Sequence, residues 1–374
     1  MNSKQTAYLI LAGGGTGGHV LAGISVADAW KAYGGKEASV LFIGARGGME
    51  ESLVPKSGYA LKLLSVGSLN RVSIQKKIKT LFQLPFSFVK SIRILMTIKP
   101  QFILGVGGYA SGPVLLIAKV LKSIGLLKVK IAILEQNAVP GFTNRILLYF
   151  ADIVFVAFPG LESQFPHPFI QVTGNPIRSS IKRMEPALRD PFTIFIFGGS
   201  QGAIGVNSLV LEALPFLEDL TKKIRWIHQT GVKDYQRVLK GYEKQGITAQ
   251  VDAFIDNMAA AYQKASLLIC RSGSSTLSEI AAVGRAAIFI PLPTSSNNHQ
   301  EQNARIFTDQ GAAALLLQTG AKGSDLAQKI RELIHEPQKL SEMEKNVTQF
   351  FRPKAAEDIV SGLLNSNTMR PTRL

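Results

Sequence analysis

Residues 7–30 force an early decision about the fold. The apolar run Ala7 to Leu11 has the length and character of a strand. The turn Gly13-Gly14-Gly15-Thr16-Gly17-Gly18-His19 follows, and Val20 to Trp30 then carries apolar residues at helical spacing with Gly23 alone against it. A strand turning on glycine into a helix opens a doubly wound α/β sheet. The helix start leaves unpaired N–H groups and the positive dipole end at the turn, where phosphate or pyrophosphate binds. Glycines at such a place also serve tight turning alone. Gly13, Gly15 and Gly18 satisfy G-x-G-x-x-G, but the second strand, Ser39 to Ile43, ends in Gly44-Ala45-Arg46. The acid that would hold the ribose of a nicotinamide dinucleotide is missing there.

The same unit recurs along the chain. Phe102 to Val106 runs into Gly107-Gly108-Tyr109-Ala110-Ser111-Gly112-Pro113 and an apolar helix. Lys130 to Leu134 ends in Glu135-Gln136-Asn137, and strands follow at Ile153 to Val156 and Ile170 to Thr173. After the turn at Gly174-Asn175-Pro176 the plan restarts with strand Phe192 to Phe197, turn Gly198-Gly199-Ser200-Gln201-Gly202 and helix Ile204 to Leu214. Strands at Ile224 to His228, Ala249 to Phe254, Leu267 to Cys270, Ala287 to Ile290 and Ala313 to Leu317 continue it. With 374 residues, the chain reads as two Rossmann-like domains facing a cleft. The first spans residues 1–177 and the second 178–353; a helix at 354–365 is expected to pack back on the first, and 366–374 reads as a loose tail.

Charge is uneven within a net +16. Between Glu51 and Glu135 stand thirteen Lys and Arg and no acid. Within that block, Ser73 to Lys99 interleaves Ile74, Leu81, Phe82, Phe86 and Phe88 with Lys76, Lys77, Lys79 and Arg93, and Pro85 is expected to break or kink it. Bases without acids on an amphipathic segment suit a headgroup layer; a core helix with a solvated basic face is the alternative. Nucleic acid fits less well, because no recognition motif accompanies the charge. The longest apolar candidate for a span, Ile146 to Phe158, is broken by Asp152, and the first residues are too polar for a leader, so a cytoplasmic or membrane-attached protein is expected. The single Cys, Cys270, reads as a buried strand residue.

Two stretches in the second half carry polar groups at strand ends. In Arg271-Ser272-Gly273-Ser274-Ser275-Thr276-Leu277-Ser278-Glu279, Thr276 and Glu279 have capping-box spacing, while Glu279 is alternatively placed to accept from a ribose diol. Asn297 to Asn303 is dense in amides, as sugar hydroxyls or an ordinary surface loop would both allow. The five histidines, at 19, 167, 228, 299 and 335, are scattered, and no metal site is expected.

The ordered set GGGTGGHV (13–20), GGYASGP (107–113), EQN (135–137), GNPIR (174–178), GGSQG (198–202), FIDNM (254–258) and RSGSSTLSE (271–279) closely resembles the MurG family of peptidoglycan glycosyltransferases. That resemblance implies a GT-B architecture and transfer of N-acetylglucosamine from its UDP conjugate, with inversion. The implied acceptor hydroxyl is the 4-hydroxyl of undecaprenyl-diphospho-muramoyl-pentapeptide. It implies UDP-sugar contacts at Thr16, Gly17, Gly18, Asn137, Arg178, Ser200, Ile255, Ser274, Ser275, Thr276, Leu277, Ser278, Glu279 and Gln300. The acceptor diphosphate would lie on Gly14, Gly15, Gly107, Gly108, Tyr109 and Ser111. His19 is the candidate base, with a loop-orienting role as its alternative, and Glu135 is the second candidate base. Further implied partners are an anionic face of the bacterial inner membrane and other cell-wall synthesis proteins, with no cofactor. The chain departs from the family in having Leu21-Ala22 where a Pro is usual and Leu134 where a His is usual before Glu-Gln-Asn. Diacylglycerol as the acceptor, and a non-catalytic nucleotide-sugar binder, are the competing readings.

Overall fold

The computed structural model describes residues 8–35, 38–67, 74–186, 189–220 and 223–365, with the backbone alone at 74–81 and the side chain of residue 164 left aside. The expected tail at 366–374 and the first seven residues lie outside the described residues. Two units form: Met1–Arg178 together with Lys354–Leu374, and Ser179–Pro353.

The first unit alternates β1 (Tyr8–Gly13), α1 (Gly17–Gly34), β2 (Ser39–Ala45), α2 (Glu50–Lys56), β3 (Ala60–Leu64), α3 (Ile74–Ile98), β4 (Phe102–Gly107) and α4 (Ser111–Ser123). It continues with β5 (Lys130–Glu135), α5 (Phe142–Leu147), β6 (Ile153–Val156) and β7 (Ile170–Val172). Its seven strands are all parallel in the order β3-β2-β1-β4-β5-β6-β7. The order reverses between β1 and β4, so their carboxyl ends flank the switch point where such sheets hold ligands. Both faces are covered by helices, which is why β1, β4 and β5 read as unbroken apolar runs.

The second unit follows the same plan: β8 (Phe192–Phe197), α6 (Ile204–Ala213), β9 (Ile224–Gln229), α7 (Tyr235–Lys244), β10 (Ala249–Asp252), α8 (Met258–Lys264), β11 (Leu267–Cys270) and α9 (Ser274–Val283). Then come β12 (Ala287–Phe289), α10 (His299–Thr308), β13 (Ala314–Leu315), α11 (Gly323–His335) and α12 (Pro337–Val347). Its six-stranded parallel sheet has the order β10-β9-β8-β11-β12-β13. Cys270 is fully buried on β11, and burial pushes its thiol well above the ordinary range.

The last helix, α13 (Ala355–Asn365), packs on α1 in the first unit. Ile359, Val360 and Leu363, each at most 2 % exposed, enter the same core as Leu9, Val20 and Trp30. Burial of such side chains contributes about 2 kcal/mol each.

Two features differ from the sequence expectation. Pro85 lies inside a continuous α3 and neither ends it nor divides it; a proline removes one helical bond, and the remaining turns hold the segment together. The short β3 and α2 were not anticipated, because β3 is an edge strand with alternating exposure and α2 contains Pro55.

Candidate active site

The glycine turns after β1 and β4 interlock. Gly14 N–H donates to Gly107 O at 3.0 Å. A Cβ on Gly13 would lie 2.0 Å from Gly107 O, and one on Gly108 would lie 2.3 Å from Gly14 O. Gly107 and Gly108 have φ of +95° and +86°, values that favour glycine. The two turns thus meet backbone to backbone, at a distance no side chain permits.

Beneath them sits a carboxylate the sequence did not announce. Glu50, 1 % exposed at the start of α2, accepts from Gly15 N–H at 2.7 Å and from Ala45 N–H at 2.8 Å. A Cβ on Gly14, Gly44 or Gly48 would come within 2.4 Å of its side chain, so these glycines clear space for it. The expectation that Gly14 and Gly15 N–H groups grip a diphosphate is therefore corrected: one is bonded to Gly107 and the other to Glu50. Donors remain in the first turn of α1, at Gly17 and Gly18. Thr16, the exposed residue before that turn, makes no side-chain cap.

His19 stands on the first turn of α1, half-buried, with Nδ1 3.1 Å from Gly14 O. A carbonyl only accepts, so Nδ1 carries the proton and Nε2 is the basic nitrogen. A Cβ on Gly107 would fall 3.0 Å from Nε2, which places the ring over the second glycine turn. Tyr109 is 42 % exposed, whereas Ser111 is fully buried and its hydroxyl donates to Gly108 O at 2.7 Å, locking the turn rather than facing a ligand.

Glu135, 2 % exposed, accepts four bonds: Asn137 N–H at 2.9 Å and Asn137 Nδ2 at 3.2 Å on Oε1, Gly141 N–H at 3.0 Å and Asn144 Nδ2 at 2.9 Å on Oε2. Its lone pairs are occupied in tying the 137–141 loop, so the reading of Glu135 as a base is corrected to a structural one. Asn175, 5 % exposed, has no internal partner for either side-chain polar atom. It is a candidate the sequence reading passed over as a turn residue. Arg178 is half-buried and closes the first unit.

In the second unit the turn after β8 repeats the interlock: a Cβ on Gly202 would lie 2.0 Å from Thr230 O, and one on Gly231 2.3 Å from Gln201 O. Gln229 bridges the turn to the FIDNM loop, donating to Gly199 O at 3.0 Å and accepting from Ile255 N–H at 2.9 Å. The turn that carries exposed Ser200 and the loop that carries half-buried Ile255 are thereby tied together.

Helix α9 begins at Ser274 with Gly273 as its cap residue, so the Thr276/Glu279 capping box does not form. Glu279, 6 % exposed, instead accepts from Tyr262 Oη at 3.0 Å. Leu277 is corrected as a ligand contact: its side chain is fully buried and its N–H donates to Gly273 O. Ser278 donates back to Ser274 O, which leaves the first-turn N–H groups of Ser274, Ser275 and Thr276 as the donors. Ser272 Oγ donates to Gln300 O at 2.7 Å and Asn303 Nδ2 to Ser272 O at 3.1 Å, joining the RSGSS and amide-rich stretches into one wall. Arg271 is held beneath it by the Ile290 and Pro291 carbonyls and Gln318; burial pushes its pKa down to about 10, so the charge persists at neutral pH. Buried His228 is pushed down to about 3 by desolvation and is bonded to Asn207 and Tyr242, which leaves it no acid-base role at neutral pH.

Among known proteins, the glycosyltransferase family 28 N-terminal domain matches residues 9–156 and the family 28 C-terminal domain residues 193–359. A protein of Citrifermentans bemidjiense named UDP-N-acetylglucosamine--N-acetylmuramyl-(pentapeptide) pyrophosphoryl-undecaprenol N-acetylglucosamine transferase is 44% identical over 96% of this chain and 99% of its own. One of the same name from Myxococcus xanthus is 42% identical over 94% of this chain and 91% of its own. The crystal structure of Acinetobacter baumannii MurG superposes with a TM-score of 0.76 at 29% identity, covering 96% of this chain and 99% of that one. The chain belongs to the MurG family. As a MurG-family glycosyltransferase it has the GT-B fold, which accounts for two sheets of the same Rossmann order. That membership sets aside the nicotinamide and non-catalytic readings.

Proposed function

We propose that this MurG-family enzyme transfers N-acetylglucosamine from UDP-N-acetylglucosamine to the 4-hydroxyl of the muramoyl unit of undecaprenyl-diphospho-muramoyl-pentapeptide, with inversion. The observation that carries the reading is the His19 imidazole, oriented by Gly14 O at the start of α1, in a chain 44% identical over nearly its full length to a transferase of that name. His19 Nε2 takes the proton of the acceptor hydroxyl. The freed oxygen bonds to the anomeric carbon, and the bond from that carbon to the UDP oxygen breaks. Charge developing on UDP meets the helix-start donors of α9, Ser200 and Arg178, with no metal in the proposal. Glu279 is assigned to the ribose, the Ile255 carbonyl to the uracil and Gln300 to the sugar.

The test is UDP release. Purified enzyme with UDP-N-acetylglucosamine and the lipid-diphosphate acceptor is expected to release UDP at a rate unchanged by EDTA, and to release none with diacylglycerol. Turnover with diacylglycerol alone, or loss of turnover in EDTA, would overturn the respective part of the reading.

Attachment to an anionic membrane surface belongs to the same proposal. Helix α3 turns Ser87 and Ser91 inward, at most 1 % exposed, while Phe82 and Phe86 stand 73% and 76% exposed beside exposed Lys90 and Arg93. A core helix would bury the phenylalanines. Phe88 is half-buried, and the side chains of Ile74, Lys76, Lys77, Lys79 and Leu81 lie outside the described residues. Among the described residues no helix is long and apolar enough to cross a membrane. Replacing Lys90 and Arg93 by Gln is expected to weaken binding to anionic vesicles about thirtyfold, at about 1 kcal/mol per cation, and adding Phe82→Ser and Phe86→Ser to weaken it further. Unaltered sedimentation with vesicles would remove α3 from that role.

A further inference from the structure

Glu50 and His19 hold opposite ends of one peptide group. The N–H of Gly15 donates to Glu50 Oε2 at 2.7 Å, and the carbonyl of Gly14, in the same Gly14–Gly15 peptide plane, receives His19 Nδ1 at 3.1 Å. We infer that Glu50 is a positioning residue for the transfer reaction, acting on the His19 imidazole through the Gly14–Gly15 peptide as an indirect carboxylate–histidine pair.

Three observations support this. The carboxylate is 1 % exposed and both its oxygens are bonded to backbone N–H, on Gly15 and Ala45, so its orientation is fixed from two sides. Gly14, Gly44 and Gly48 all leave room that a Cβ would take from it. The preceding peptide is pinned by Gly14 N–H on Gly107 O, which anchors the Gly14 end of the gripped peptide. An acceptor at one end of a peptide and a donor at the other polarise it in the same sense, and each bond strengthens the other. A carboxylate at the N–H end therefore makes Gly14 O a better partner for Nδ1–H. It holds the imidazole in the tautomer with Nε2 basic, and favours the positive charge that the ring gains when it takes a proton. Direct contact between the carboxylate and the ring would leave the imidazole tethered to α2. The intervening peptide instead lets α1 and the glycine turn carry it.

The inference rests on His19 being the base, and its tests separate the two. In the native protein labelled with 15N-histidine, the His19 ring is expected in the Nδ1–H tautomer with a slowly exchanging Gly15 amide; an Nε2–H tautomer would overturn the inference without any variant. Glu50→Gln keeps the size but puts an NH2 group against one of the two N–H donors. It is expected to lower kcat about tenfold or more while leaving the KM for UDP-N-acetylglucosamine within about twofold, and to mix the His19 tautomers. Combined with His19→Ala it should add little, since both act through one group. Wild-type kcat in Glu50→Gln, or full additivity with His19→Ala, would sink the role of Glu50. Full activity in His19→Ala would instead sink the base on which it rests.

Discussion

His19→Ala is expected to lower kcat about 100-fold or more while binding of UDP-N-acetylglucosamine, followed by calorimetry, stays close to native. The reason is positional: the ring touches Gly14 O through Nδ1 and presents Nε2 above Gly107, whereas the helix-start donors of Ser274 to Thr276 and the Glu279 carboxylate lie in the other unit. Two comparisons separate a base from an orienting group. Asn at position 19 retains a donor for Gly14 O but has no nitrogen that takes a proton; a base predicts that His19→Asn is as slow as His19→Ala, an orienting role that it recovers. A base must also be unprotonated to act, so the acid-side dependence of turnover should differ between the native enzyme and the variants.

The second large effect is structural. Gly108→Ala puts a methyl group 2.3 Å from Gly14 O and 3.0 Å from Gly14 C and N, all backbone atoms, at a φ of +86°. Neither turn can retreat, because Gly14 N–H is bonded to Gly107 O and Gly15 N–H to Glu50. A loss of about 3 kcal/mol or more is expected, seen as a fall of about 6–12 °C in the unfolding transition of the first unit, together with loss of transfer. Gly125→Ala is the control: its φ is +78° but nothing lies within 4 Å of the added carbon, so the cost is the backbone strain of about 1 kcal/mol. Equal shifts for the two would mean that the interlock of the turns contributes nothing.

These glycines show how far the residues could be read in advance. Strand, turn and helix were legible because the apolar runs and the glycine clusters alternate with a period that few folds share, and the all-parallel order of both sheets follows from that alternation. What each glycine does was not legible. Gly13 and Gly108 serve contact between two turns almost 100 residues apart, and Gly14, Gly44 and Gly48 make room for a buried acid, so their neighbours in space, absent from the sequence string, decide their function. Glu50 escaped notice for the same reason: in Met49-Glu50-Glu51 it looks like one half of a solvated pair at a helix start, and Glu51 is indeed exposed. At Glu135 the strand end fits a base as well as a loop anchor, and only the fold brings the four donors from Asn137, Gly141 and Asn144 onto its carboxylate. Thr276 and Glu279 had the spacing of a cap, but α9 starts three residues earlier than that spacing requires.

The first unit is closed by α13, whose Ile359, Val360 and Leu363 complete a core begun by Leu9 and Leu11, while the second unit is contiguous from Ser179 to Pro353. During synthesis on the ribosome, the lobe whose strands emerge first is thus finished last. Its glycine turns and α1 wait with an uncovered apolar flank until some 365 residues have left the exit tunnel, so the half of the molecule that carries His19 depends for its closure on the last helix made.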